Sequence, residues 1–138
     1  MRITDAIRGE HAAMRPLLRQ LRELTEPGST MRPEFVKEHA KTLWTIIRAH
    51  TTVEEPLFLL LRGHGSAKHA LDEHKQIELL LKLAMRTGDQ RVFNKGIRLT
   101  LGHFDEEERD VFPLAERVLG QAKLAQLGVE WLQARGLT

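Results

Sequence analysis

Four stretches of this 138-residue chain alternate steps of three and four residues between positions that would share one helix face, with charged groups among the apolar residues. Thr4, Ile7, His11, Met14, Leu18 and Leu21 form the first seam. The second runs Val36, Ala40, Leu43, Ile47, His50, Glu54, Leu57, Leu61, and the third Ala67, Leu71, His74, Glu78, Leu81, Met85. With one slip, the fourth runs Val92, Gly96, Leu99, His103, Glu107, Val111, Leu114, Val118. Such spacing is the signature of amphipathic helices buried along one stripe. Pro27-Gly28, Gly63, Gly65, Gly88, Gly120 and Gly136 punctuate the pattern. The spacing predicts helix A over about Thr4 to Thr25, B over Pro33 to Arg62, C over Ser66 to Thr87, D over Asp89 to Leu119 and a short E over Gln121 to Arg135. Short B–C and C–D connections make neighbours antiparallel, so the expected fold is all-α: an up-down-up-down four-helix bundle with a short C-terminal fifth helix.

The polar seam residues narrow the reading further. His11, His50, Glu54, His74, Glu78, His103 and Glu107 stand where core residues belong. A buried carboxylate must be neutralised, hydrogen-bonded to a cation or bound to a metal. His11 lies 14 residues before the end of helix A, His50 17 after the start of B, His74 13 before the end of C and His103 14 after the start of D. At about 1.5 Å per residue these offsets bring the four histidines to one level of an antiparallel bundle. An internal repeat agrees with this. Glu10-His11 is followed by Met14 and Leu18, as Glu73-His74 is by Ile77 and Leu81, and His50-x3-Glu54-Glu55 parallels His103-x3-Glu107-Glu108. Each helical hairpin therefore supplies two histidines and one carboxylate, a set suited to non-haem iron with open positions.

Composition excludes several alternatives. With no cysteine there is no disulfide framework, thiolate site or thiol nucleophile. The hydrophobic share of 41%, the charged share of 29% and the formal charge of +2 describe an ordinary globular chain without a nucleic-acid footprint. No apolar run approaches the roughly 18–20 residues of a membrane helix, and the N-terminus has no apolar signal segment, so a cytoplasmic location is expected. At this length one domain over residues 1–138 is the expectation. The absence of tyrosine disfavours a tyrosyl-radical enzyme.

The ordered pattern His11, His50-x3-Glu54, His74, His103-x3-Glu107 resembles that of the hemerythrin-like (HHE) cation-binding domains and spans nearly the whole chain. The resemblance implies two irons bridged by Glu54 and Glu107, with His11 and His50 on one, His74 and His103 on the other, and an oxo or hydroxo group completing the core. Oxygen-carrying hemerythrins place a further histidine one turn after the third-helix histidine, and here that position is Glu78. The four-histidine pattern is more similar to bacterial hemerythrin-like proteins and to the iron-sensing domain of a ubiquitin-ligase subunit. The expected function is binding or sensing of O2, peroxide or NO at an iron pair. The alternatives are a catalase- or peroxidase-like di-iron enzyme and an iron storage or sensing domain. Glu78, inward by the seam count, is expected as a metal ligand, the alternative being an acid beside the ligands or facing water.

The remaining features carry blander expectations. His39, His64 and His69 read as surface or loop histidines, and Arg8, Arg15, Arg19 and Arg22 as a solvated stripe. Pro16 and Pro56 are expected to kink their helices, and Gly102 to admit a close neighbour. Trp131 on helix E is expected to cover one end of the bundle.

Overall fold

The computed structural model describes residues 1–137 and is all helical. The helices are α1 (Ile3–Leu24), α2 (Pro33–Leu60), α3 (Gly65–Thr87), α4 (Gln90–Glu106) and α5 (Phe112–Ala134), with a π turn over Glu107–Val111 between the last two. No strand occurs among the described residues. Pro33 stands in the first turn of α2, where its missing N–H leaves no helical bond unmade. The Asp89 side chain caps α4 by accepting the N–H groups of Arg91 and Val92. No helix among the described residues is long and apolar enough to cross a membrane.

Burial divides the interior into two apolar blocks. One contains Leu18, Val36, Leu43, Ile77, Leu81, Phe93, Ile97 and Phe104. The other contains Ile3, Ile7, Leu57, Phe58, Leu61, Phe112 and Leu124. Between them lies a polar layer of His11, His50, Glu54, His74, His103 and Glu107, all buried. The stripes of α1 and α2 follow the sequence seams closely. Along α4 the buried side is instead Phe93, Ile97, Thr100 and Phe104, while Val92 and Leu99 are only partly buried.

Helix D therefore departs from its expected single span. The slip in its seam, where His103, Glu107 and Val111 follow one another by four, falls at the π turn. There the Phe112 N–H donates to the Glu107 carbonyl five residues back. A π turn accommodates one extra residue and rotates the following face, and it comes just before Pro113, which has no N–H to give an α ladder. Pro16 and Pro56 lie within continuous helices.

Gly120 interrupts α5 with φ 77° and ψ 167°, a conformation essentially confined to glycine. The break lets the last part of α5 pack against the start of α1: Leu124, Leu127 and Trp131 join the block that holds Ile3 and Ile7. Gly128 makes this approach possible, since a Cβ there would stand 1.9 Å from the Met1 carbonyl oxygen. Gly102 is exposed and has no neighbouring atom within 4 Å of such a Cβ, so the expected close approach there does not occur. Two substitutions should thus have opposite signs. Gly128→Ala should destabilise by about 1–3 kcal/mol through overpacking, and Gly102→Ala should stabilise by up to about 1 kcal/mol through helix propensity. Denaturant unfolding midpoints of both variants check this.

Candidate metal centre

Each helix delivers its polar residues from a stripe that is otherwise apolar, so the histidines and glutamates are fixed by packing above and below. Ligand atoms of Glu54, His74, His103 and Glu107 lie within 4.8 Å of one another, and so do those of His11, His50 and Glu54. Glu54 belongs to both groups. The His74 Nε2 is 2.8 Å from Glu54 Oε1 and 3.8 Å from Glu107 Oε1, and the His103 Nε2 also contacts Glu107. On the other side, the His50 Nε2 is 3.0 Å from Glu54 Oε2 and the His11 Nε2 is 4.0 Å from Glu107 Oε2.

These short separations do not form hydrogen bonds. Both carboxylate oxygens of Glu54 and of Glu107, both ring nitrogens of His74 and the Nε2 of His103 are buried without a partner. Such groups are costly to bury unsatisfied. His11 and His50 show the same convergence, their Nε2 atoms facing each other at 3.1 Å. The Nδ1 of His50 donates to Glu10 at 2.8 Å and that of His11 to Glu108 at 3.2 Å, so in the neutral rings both facing Nε2 atoms carry lone pairs. Two lone pairs and two carboxylates directed at a shared interior call for cations between them. This donor set of four imidazoles and two carboxylates fits a pair of first-row transition metals.

The outer nitrogens form a second layer. The His103 Nδ1 donates to Glu73 at 3.0 Å. Arg15 holds Glu108 and also Asp105, and Arg135, beyond the end of α5, holds Glu10. Fixing one ring nitrogen on a carboxylate sets the tautomer and aims the other inward. Glu10, Glu73, Glu108, Arg15 and Arg135 were not singled out as functional from sequence. The repeated Glu-His pairs were the available signal, because Glu10 and Glu73 each support the histidine of the next helix in the same hairpin.

The structure gathers six of the seven seam residues and sets Glu78 apart. Its carboxylate meets Arg48 of α2 at 2.8 Å and Lys82 at 3.2 Å, and it is about one-third exposed. The buried stripe of α3 runs through Glu73, His74, Ile77 and Leu81, and Glu78 lies on its margin. His64 and His69 are exposed, as expected, but His69 is 3.5 Å from Glu73 and 3.2 Å from Glu106. His39 is partly buried and stacks on Phe35. Arg8 and Arg15 are not merely solvated: Arg8 lies over the Phe112 ring and Arg15 over Phe104.

In the metal-free protein, protons take the place of cations. Burial pushes His50 down, yet the Glu54 charge and its contacts with Glu10 and Glu54 carry it up to about 10. His103 also goes to about 10, its burial outweighed by the Glu107 charge and by contacts with Glu107 and Glu73. Burial would raise Glu54, but the His50 charge and contacts from His50 and His74 hold it well below the usual carboxylate range. Burial, only partly offset by Glu107 and reinforced by His50, lowers His11 to about 4. A metal must therefore displace protons from His50 and His103.

The family model described as the hemerythrin HHE cation binding domain matches residues 2–115. No curated protein and no solved structure matches the chain.

The histidine pKa values give a stability prediction for metal-stripped protein. His50 and His103 are raised in the fold to about 10 from about 6.5 in the unfolded chain. Their contribution is complete below about 6.5 and is lost as pH rises towards 10. The melting temperature of the metal-free protein should fall across that window, whereas metal-loaded protein, with these imidazoles already deprotonated, should lack the fall. Circular dichroism melts at stepped pH test it, and a metal-free melting temperature that is flat or rising would contradict it.

Proposed function

Because the chain belongs to the hemerythrin HHE cation-binding domain family, we propose that it is a di-iron protein that binds a small diatomic or peroxide ligand: O2, peroxide or NO. The observation that carries this reading is the buried layer of unpartnered imidazole and carboxylate atoms. In this reading His11 and His50 hold one iron, His74 and His103 hold the other, and Glu54 and Glu107 serve both. Bound iron supplies a redox-active Lewis acid to which such a ligand can attach.

The protein's own part is orientation, proton placement and exclusion of water. Glu10, Glu73 and Glu108 keep Nδ1–H of His50, His103 and His11 occupied, so each Nε2 presents a lone pair inward. Phe104 stacks on His11 with ring centroids 4.0 Å apart and Phe112 lies 5.9 Å away, closing the layer from solvent on the side of α1 and α4. Phe58 lies 5.3 Å from His74. The pairing of Glu78 with Arg48 and Lys82 supports a six-residue set of four histidines and two glutamates.

Metal analysis and Mössbauer spectroscopy of anaerobically loaded protein should find two irons per chain; a reproducible single zinc with no uptake of Fe(II) would defeat the proposal. Glu78→Ala should leave the iron content unchanged, while Glu54→Gln should lower it. Optical spectra before and after O2, peroxide and NO then test the ligand class. Weakening the outer layer by Glu10→Gln or Arg135→Ala should reduce metal affinity by about 10–100-fold, measured by competition with a chelator, with helicity retained.

A further inference from the structure

The two hairpins repeat each other at a fixed offset, and the repeat is broken at one place. His74 in the second hairpin occupies the position of His11 in the first, and Glu78 that of Arg15. In the other pair of helices, Glu55 corresponds to Glu108 and Thr51 to Phe104. On the α1–α4 flank these residues make a closed wall: Phe104 stacks on His11, Glu108 accepts the His11 Nδ1–H, and Arg15 secures Glu108.

On the α2–α3 flank each part of that wall is missing. Thr51 is too small to replace the phenyl ring. Glu78, in place of the arginine, cannot secure a carboxylate and pairs with Arg48 instead. Without a π turn in α2, Glu55 is exposed and makes no hydrogen bond to His74, although both line the same cavity. A cavity of about 260 Å³ results, with His74, Trp44, Thr51 and Lys75 among its walls. His74 is only 8% exposed, and its Nε2 is turned to Glu54, which leaves Nδ1 as the ring nitrogen for the cavity. That Nδ1 is buried and unpartnered, alone among the outer nitrogens of the four histidines. The Trp44 Nε1 is likewise buried without an acceptor.

We propose that this cavity is a binding site for a small aromatic carboxylate, whose carboxylate accepts the His74 Nδ1–H and whose ring fills the space left by Thr51. The ligand would supply to His74 what Phe104 and Glu108 supply to His11. Glu55 and Glu78 also line the cavity; because Arg48 is taken up by Glu78, Lys75, which has no ion-pair partner among the described residues, is the wall cation left to meet the ligand's charge. A carboxylate on the outer nitrogen raises the basicity of a metal-binding imidazole, so occupancy would tune that side of the centre. The site belongs to the chain itself and does not depend on which metal is held.

Benzoate is the probe, titrated into the purified protein by calorimetry and by NMR. Saturable binding is expected, with the Trp44 indole N–H signal shifting and that of Trp131 staying still. Benzyl alcohol, which keeps the ring and loses the charge, should bind at least about tenfold more weakly. Thr51→Phe, which restores the wall, should weaken benzoate by a similar factor at unchanged metal content, and Thr51→Ser should retain it. The proposal is overturned by an absence of saturable binding, by equal affinity for benzyl alcohol, or by undiminished benzoate affinity in a folded Thr51→Phe protein. It is overturned too if a His74 Nδ1–H signal in the free protein is already hydrogen-bonded and loses that bond in Glu55→Gln. If Thr51→Phe does not fold, the comparison of benzoate with benzyl alcohol on the unaltered protein still decides.

Discussion

Two glutamates buried at the centre of an apolar bundle set the terms for everything around them. Neither Glu54 nor Glu107 is exposed, and no oxygen of either has a hydrogen-bond partner. Uncompensated, such charges would cost several kcal/mol each. The chain answers with four histidines at the same level, and the carboxylates of the outer layer then fix three of those. Two apolar blocks above and below hold the layer in place. The stability of the fold and the chemistry of the site therefore share one cause: the need for positive charge between Glu54 and Glu107, met by metal when metal is bound and by imidazolium protons when it is not.

That shared cause explains why so much was legible in the sequence. A polar residue on an apolar seam is a local contradiction, and six such contradictions in register can be read without coordinates. Helix number, order and the meeting of His11, His50, Glu54, His74, His103 and Glu107 all follow from counting. Glu78 shows where counting fails. A four-residue step from His74 and a three-residue step to Ile77 satisfy the same seam, and only packing chooses between them. Arg48 on the neighbouring helix draws Glu78 outward, and no one-dimensional pattern reveals a partner 30 positions away. The π turn was hidden for a related reason: its only trace was a slip in the seam of helix D, which a rigid period absorbs as noise. The outer carboxylates escaped notice because their value lies in a bond to the next helix.

The C-terminal part of the chain is tied to the same centre. Gly120 redirects α5, Gly128 lets it lie against the N-terminus, and Arg135 reaches Glu10, which carries the outer nitrogen of His50. A segment that could be taken for a cover on one end of the bundle thus bears on the orientation of a histidine in the middle. Truncation beyond Gly120 would remove both apolar packing and a charge that steadies the outer layer.

The broken repeat has a consequence for the architecture as a whole. Two identical hairpins paired by symmetry would be either walled on both flanks or open on both, because each residue would act twice. Joining unlike copies in one chain escapes that constraint. One copy can give its groove to aromatic stacking and ionic bracing, as Phe104, Glu108 and Arg15 do, while the other is relieved of that duty. The bundle acquires a front and a back, and the interior can be approached from one direction without loosening the other.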